Sequence, residues 1–563
     1  MDVISPAIAL QTRPAELAAR RTIDCFSDRA SWVMLAMLSV VAALTFRDYG
    51  LGWDDYTHAQ YGARLLSLYA TGFRDTSALS FVNLYLYGGG FDMAAALLHK
   101  AVPFDLFETR RLLGAATGIA GLAVTWRIGR RAGGPLAGLL ALVLLATCPL
   151  YYGHMFINAK DAPFAVAMAL FLLGLVRLLD QYPKPCPTTL FLVGLGFGLS
   201  IGSRIMAGFG VLEASGALAL LFAIEARADG ARLAWSHLGR LALVLIPSAI
   251  LAYAVMALIW PWSVVNPLNP VLAIEIFSHF FEKPWRELFD GALIEPPDMP
   301  RSYAPILFSL KLPEIFLLLG GAGVLGAVVA AFRESVPPRV RAVCFAIALA
   351  AVLPIVVTVV ARPAMYNGIR HFVFVLPPLA VAGGLAGAWI AGHAARFGRA
   401  GLGRAGLAAL AILFAAGVAL PAIGMARLHP YEYVFFNHIG GGVRGAQSRF
   451  MLDYWGLALK QAALELRARL AARGEAPPAG GKWKIAVCGP HPPAHIALGD
   501  QFDLTWEAKG ADFALMIGTF YCAKLDAPLL VEVVRDGVSF ARAYDIRGRS
   551  TPSVFAYPAL TQN

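Results

Sequence analysis

Apolar runs of roughly membrane-crossing length constrain this chain more than any other feature. Eleven occur, at 31–46, 110–127, 134–151, 162–179, 188–203, 205–224, 239–260, 312–332, 342–361, 371–392 and 405–424. A membrane-spanning helix needs about 20 mostly apolar residues. The first run is short, and the fifth and sixth nearly touch. Lipid offers the backbone no hydrogen bonds, so such runs fold as helices. The expected fold class is an α-helical integral membrane protein with about 11 transmembrane helices. Composition agrees: 58% of residues are hydrophobic and 15% charged, against about 25% charged in soluble proteins. This composition argues against a soluble enzyme and strongly against a disordered chain. The 30-residue polar stretch before the first run contains Glu16, Asp24 and Asp28. It is longer and more acidic than a signal-peptide n-region, so an uncleaved anchor is expected.

The formal charge of +11 does not imply nucleic acid, because the cations sit mainly in short loops between apolar runs. One set of loops carries Arg127/Arg130/Arg131, Arg177/Lys184, Arg227/Arg232/Arg240, Arg333/Arg339/Arg341 and Arg396/Arg399/Arg404, with Arg13, Arg20, Arg21 and Arg29 in the N-terminal segment. The alternate set has only Lys160, Arg204, and Arg362 with Arg370 in its short loops. The positive-inside rule puts the first set in the cytoplasm. Residues 1–30 are then cytoplasmic, 31–424 form the multi-span domain, and 425–563 form a C-terminal domain on the far, periplasmic side of a bacterial inner membrane. Loops 47–109 and 261–311 fall on that same outer side.

The tail carries three runs of buried-strand character, KIAVCG (484–489), DFALMIG (512–518) and PLLVEVV (528–534), and an amphipathic helix at 454–473. A small α/β domain is expected. Of six cysteines, Cys488 and Cys522 share this region; a disulfide and two buried thiols are equally open readings.

Polar groups collect at the outer ends of the spans. Asp54 and Asp55 open the first outer loop, where one reading is a pair of functional carboxylates and the other an ordinary helix cap. His154, Asn158, Lys160 and Asp161 lie in a hinge between two apolar runs, with Asp161 also readable as a cap. Arg204 sits between two spans with almost no loop and either snorkels or holds an anion. Tyr366, Arg370 and His371 precede the tenth run; a guanidinium there suits phosphate or anchors at the interface. The glycines of HPYEYVFFNHIGGG (429–442) lack the settings that bind nucleotides and read as turns. Trp260, Trp262, Trp285 and Tyr303 of loop 261–311 belong either to a cover over a site or to a surface helix.

WDDYTHAQYG (53–62), LYLYGGGF (84–91), YYGHMFINAKDAPFA (151–165), IWPWSVVNPL (259–268), MYNGIRHFVFVLPP (365–378), and HPYEYVFFNHIGGG with LDYWG (452–456) together resemble the bacterial members of the dolichyl-phosphate-mannose–protein mannosyltransferase superfamily, membrane glycosyltransferases of the GT-C class. The resemblance spans about 50–456. It implies a polyprenyl-phosphate-linked sugar donor, a hydroxyl acceptor (protein, lipid or glycan) and a catalytic carboxylate at Asp54. The family's acidic pair usually reads Asp-Glu, and here the second member is Asp55. The NxKD-like stretch maps to Asn158, Lys160 and Asp161, and the RH pair to Arg370 and His371.

The residue types suit that chemistry. One carboxylate can take the proton of an attacking hydroxyl, and cations must stabilise the departing phosphate. The candidate catalytic set is Asp54, Asp55 and Asp161. Lys160, Arg204, Arg370 and His371 are the candidate phosphate ligands, and His154, Asn158 and Tyr366 the candidate substrate contacts. Asp54, Asp55 and Asp161 would hold a divalent Mg or Mn if they converge. Besides the donor and acceptor, the expected partners are membrane lipids, not nucleic acid. Two other functions fit such a composition: a transporter or lipid flippase, and a non-catalytic relative that binds envelope components.

Overall fold

The structure, a computed structural model, describes residues 14–278, 286–397 and 402–556. Arg13, Arg399 and Trp285 lie outside the described residues, as do the side chains of Arg20, Arg21, Arg396 and Arg404. Helix α1 (Pro14–Thr45) is followed by α2 (Asp55–Ala70) and α3 (Gly90–His99). Then come α4 (Leu106–Gly133), α5 (Pro135–Ala146), α6 (Pro149–Ile157), α7 (Asp161–Gln181), α8 (Pro187–Ser203), α9 (Gly208–Ala228), α10 (Ala231–Val244) and α11 (Ile246–Ile259). Two short helices, α12 (Trp262–Val265) and α13 (Asn269–Ser278), and an antiparallel hairpin of β1 (Glu287–Phe289) and β2 (Ala292–Ile294) make up much of the segment between α11 and α14. Helices α14 (Tyr303–Lys311), α15 (Glu314–Phe332), α16 (Pro338–Ala361), α17 (Leu376–Phe397) and α18 (Leu402–Leu428) complete the helical body.

All eleven apolar runs fall on helices. Among the described residues, nine helical segments are long and apolar enough to cross a membrane. A tenth candidate is the pair α5 and α6, bent by 66°. The eleventh, α8, is apolar but shorter than those nine. The bend follows from sequence: Pro149 opens α6 at its first turn and cannot continue the amide ladder of α5. The polar N-terminal segment is no loop in its described part, since α1 begins at Pro14. Helix α7 is central, packing on α4, α8 and α16. Trp32 and Leu44 of α1 and Ile412 and Leu413 of α18 stay exposed, as lipid-facing side chains do.

In the tail, α19 (Gly442–Ala446) and α20 (Ala458–Ala472) precede β3 (Trp483–Cys488), α21 (His491–Leu498), β4 (Phe502–Thr505), β5 (Phe513–Ile517), β6 (Leu529–Arg535) and β7 (Val538–Asp545). The five strands β3 to β7 form a sheet in the order β4-β3-β5-β7-β6, parallel across β4-β3-β5 and antiparallel beyond. This is the small α/β unit expected, and β3, β5 and β6 are the three runs read as strands. Gly441 and Gly442 do take turn conformations, with positive φ. Cys488 and Cys522 are joined as a disulfide. Helix α20 covers the sheet, and its Lys460 Nζ reaches back to the Arg47 and Tyr49 carbonyls at 2.5 and 3.2 Å, tying the tail to the segment that follows the C-terminal end of α1.

Candidate active site

The site grows from four chain breaks on one side of the helical body. The first is the entry to α2. Asp54 stands at its N-cap position, but its side chain caps no helix amide. Asp55 is buried: Arg111 donates to both its oxygens at 2.9 and 2.5 Å, and Gly52 N donates to Oδ2 at 2.8 Å. The two adjacent acids therefore have different fates. Asp55 is consumed in a bidentate pair. The Asp54 side chain remains 48% exposed, and Lys160 Nζ lies 3.9 Å from its Oδ2.

The second break joins α6 to α7. Asn158 Oδ1 accepts the backbone amides of Lys160 and Asp161 at 3.1 and 2.7 Å, and Asn158 Nδ2 donates to Asp161 Oδ2 at 2.8 Å. Asn158, not Asp161, caps α7, which frees Asp161 to bind cations. The third break supplies Arg204, between α8 and α9, with Nη2 2.6 Å from Asp161 Oδ1. Its side chain is 10% exposed, so it is a buried ion-pair partner and does not snorkel. The fourth supplies Arg370, at the start of a 3-10 turn leading into α17, with Nη1 3.4 Å from Asp161 Oδ2. Arg204 Nε, Arg370 Nε and His371 Nδ1 are buried without a hydrogen-bond partner among the described residues. Such donors are suited to an anion.

Aromatic rings wall the cations. Lys160 Nζ lies 4.9 Å and Arg204 Cζ 5.6 Å from the Tyr87 ring centre. Arg370 Cζ lies 4.9 Å from that of Tyr366 and 5.4 Å from that of Trp455. Tyr87 is brought here by the glycines after it: a Cβ on Gly88 would stand 1.4 Å from the Gly202 carbonyl oxygen, so only glycine lets this loop cross the end of α8. Trp260 Nε1 donates to the Tyr85 carbonyl at 2.9 Å and pins the same loop. A cavity lined by Gly52, Asp54, His58, Lys160 and Trp455 opens beside Asp54.

Electrostatics separates the groups outside the spans. Partial removal from water disfavours the ionised form of Asp54, but Lys160 and then Arg370 outweigh it and hold the carboxyl below its usual range. Burial likewise lowers Lys160, against the pull of Asp54. The result is an ionised acid beside a cationic berth.

Not every sequence candidate lines the cavity. His154 is fully buried; its Nε2 faces Tyr454 Oη at 3.1 Å and its Nδ1 faces Asn158 Nδ2 at 3.2 Å, which places it behind the hinge as a support. His371 stacks edge-on against Tyr366, ring centres 4.8 Å apart. The three carboxylates do not converge on a shared cation position, since Asp55 is spent on Arg111 and Asp161 on Arg204 and Arg370. Among the described residues no group of three or more His, Cys, Asp or Glu side chains is arranged to hold a metal ion. Trp260, just before loop 261–311, and Tyr303 within it are buried, and Trp262 is partly buried.

Sequence reading did not single out Tyr87, Trp455, His58, Asp92, Arg110 or Arg111. A signal was present for the last two: a pair of arginines at the head of an apolar run is costly in a membrane unless each finds a partner. Arg111 finds Asp55, and Arg110 finds Asp92 at 2.7 Å.

Residues 97–261 match the family described as Dolichyl-phosphate-mannose-protein mannosyltransferase. The matched stretch contains Lys160, Asp161 and Arg204, while Asp54 and Arg370 lie outside it. No curated protein matches the sequence. The chain is similar to the solved structure of ArnT from Cupriavidus metallidurans in the apo state, at 15% identity and a TM-score of 0.48, over 91% of this chain and 97% of that one. For the same ArnT bound to undecaprenyl phosphate the figures are 16%, 0.46, 92% and 99%. For the Archaeoglobus fulgidus oligosaccharyltransferase tethered with an acceptor peptide they are 13%, 0.45, 84% and 63%.

Proposed function

We propose that this chain is an inverting membrane glycosyltransferase that moves a sugar from a polyprenyl-phosphate donor to an acceptor hydroxyl at the periplasmic face. The observation that carries this reading is the pairing of an accessible, ionised Asp54 with Lys160, at 3.9 Å, at the edge of a site lined by Arg204 and Arg370. The family matched over residues 97–261 supports the same reaction class.

The residues divide the work as follows. Arg204 and Arg370 present guanidinium donors to the donor phosphate, with Lys160 as a third charge and His371 beside them. Asp161 is a positioning residue: it aligns both guanidinium groups and offsets part of their charge before the donor arrives. Asp55 does the same for the entry to α2 through Arg111. The acceptor hydroxyl attacks C1 of the sugar while Asp54 takes its proton; the C1–O bond to phosphate breaks, and the cations stabilise the phosphate that departs. A phosphate leaving group does not require a second carboxylate as general acid. One displacement inverts the anomeric centre. Tyr366, Tyr87 and Trp455 wall the site and limit water.

Placement of the site in the periplasm is supported by the bias of positive charge toward the opposite loops and by the Cys488–Cys522 disulfide, a bond favoured in oxidising compartments.

The test is Asp54→Asn in the full-length protein, assayed with a panel of undecaprenyl-phosphate sugars and envelope extracts. The expected result is loss of transfer with folding and membrane insertion unchanged. Retained transfer in the variant would remove Asp54 from the mechanism. A wild type that moves lipid or solute across vesicles but forms no glycoside would favour the flippase reading.

A further inference from the structure

Helix α2 carries a second ionisable group into the Asp54 cavity. His58 follows Asp54 by one helical turn, its amide bonded to the Asp54 carbonyl at 3.0 Å, and it is among the residues lining the cavity that Asp54 and Lys160 line. His58 Nδ1 lies 2.6 Å from Asp92 Oδ2, and Arg110 Nη2 lies 2.7 Å from Asp92 Oδ1. All three side chains are buried. His58 Nε2 is buried with no partner among the described residues. The contact is enforced by backbone: α2 and α3 approach so closely that a Cβ on Gly62 would stand 2.2 Å from the Asp92 carbonyl oxygen.

This arrangement has a definite proton logic. Arg110 and Asp92 balance each other, so His58 can be neutral without leaving a buried charge unpaired. A carboxylate on Nδ1 takes that nitrogen's proton as a hydrogen bond and leaves the lone pair on Nε2. The unpartnered Nε2 is then a base on a residue that lines the Asp54 cavity. The charged and titratable groups around His58 are Asp54 at the head of its own helix, Asp92 on α3, Arg110 on α4, Lys160 before α7, and Tyr61 one turn on.

We propose that His58 is the proton exit of the reaction, taking onto Nε2 the proton that Asp54 removes from the acceptor, with Asp92 and Arg110 as its positioning residues. The inference rests on the transferase reading above. The acceptor oxygen bonds to C1, the C1–O bond to phosphate breaks, and the acceptor proton passes to the Asp54 carboxylate. From there it moves through one water to His58 Nε2, giving an imidazolium held by Asp92, and then to solvent. Asp54 is returned to its ionised form for the next acceptor.

His58→Asn, His58→Gln and His58→Ala in the full-length protein test this, with wild type and Asp54→Asn alongside. The readouts are turnover against pH, binding of undecaprenyl phosphate, and thermal unfolding in detergent. The expected result for His58→Asn is unchanged lipid binding, turnover lower by about 100-fold, and partial rescue of His58→Ala by added imidazole. Wild-type turnover and pH profile in His58→Asn would overturn the proposal. Loss of lipid binding in step with turnover would also overturn it, because that is what a structural role gives. If no His58 variant folds, Asp92→Asn decides: lower turnover with lipid binding unchanged supports the relay, and unchanged turnover overturns it. Wild type inactive with every donor defeats the transferase reading itself, whereas active wild type with an indifferent His58 defeats the relay alone.

Discussion

Arg111 donates to both oxygens of Asp55, at 2.9 and 2.5 Å, across 56 residues of chain. The same guanidinium donates to the Gly50 carbonyl at 2.6 Å. One buried pair thus fixes the path of residues 50–55 and so the position of Asp54. Asp55→Ala should leave Arg111 buried and unpaired, at a cost of about 3–5 kcal/mol. The expected outcome is a lower unfolding temperature in detergent and poor yield, with partial recovery of stability in the Asp55→Leu/Arg111→Met double variant. An Asp55→Ala protein as stable as wild type would contradict a structural role for the pair.

Lys160 should govern the pH range of activity. It is the foremost of the groups that hold Asp54 below its ordinary value of 3.8. A base with a depressed pKa stays ionised as pH falls, until pH passes through the depressed value. Lys160→Met removes that charge, so the acid limb of the turnover profile should move to higher pH. An acid limb that does not move in the variant would separate Lys160 from Asp54. The half-exposed pair is expected to matter little for stability.

Glu287 of β1 should impose a pH dependence on stability. Its Oε1 accepts from Tyr303 Oη at 2.6 Å and its Oε2 from Asn367 N at 2.5 Å, which ties the hairpin to the loop that leads into Arg370. Burial pushes its carboxyl from 4.5 up to about 7. A folded-state pKa above the unfolded one contributes stability that is full below about 4.5 and is lost as pH rises through about 7. Burial lowers Lys311, which Glu287 faces, to about 7, and that group acts in the opposite sense above this pH. Glu287→Gln should flatten the fall in unfolding temperature between about 4.5 and 7. An unchanged slope in that window would show that Glu287 does not titrate there.

The disulfide closes a loop of sequence separation 34. Loop-closure entropy for that length predicts a loss of about 4 kcal/mol when both cysteines are replaced. Cys488→Ala/Cys522→Ala should unfold its C-terminal sheet at lower temperature, read by limited proteolysis of the tail. Equal protease resistance with and without reductant would argue that the bond is not formed in the isolated protein.

The transmembrane plan was readable without coordinates because lipid removes the alternatives: an apolar run of that length must satisfy its amides internally, and only a helix does so. The three tail strands were readable for a similar reason, as short apolar runs bounded by turn residues. Asp54, Lys160, Arg204 and Arg370 could be nominated because charge at a membrane edge is expensive and calls for a partner. Which charge meets which could not be read. Asp54 and Asp55 are neighbours with the same side chain, and only the approach of α4, which brings Arg111 to one of them, makes one structural and leaves the other accessible. Arg204 and Arg370 are 166 residues apart in the chain, and nothing local to either says that both meet Asp161. Nothing local to His58 says that α3 brings Asp92 against it. Local sequence therefore determined the helices and the supply of charge at their outer ends. Tertiary packing decided the pairing, because ion pairs depend on distances of a few ångströms between segments far apart in the chain, and no local pattern encodes those.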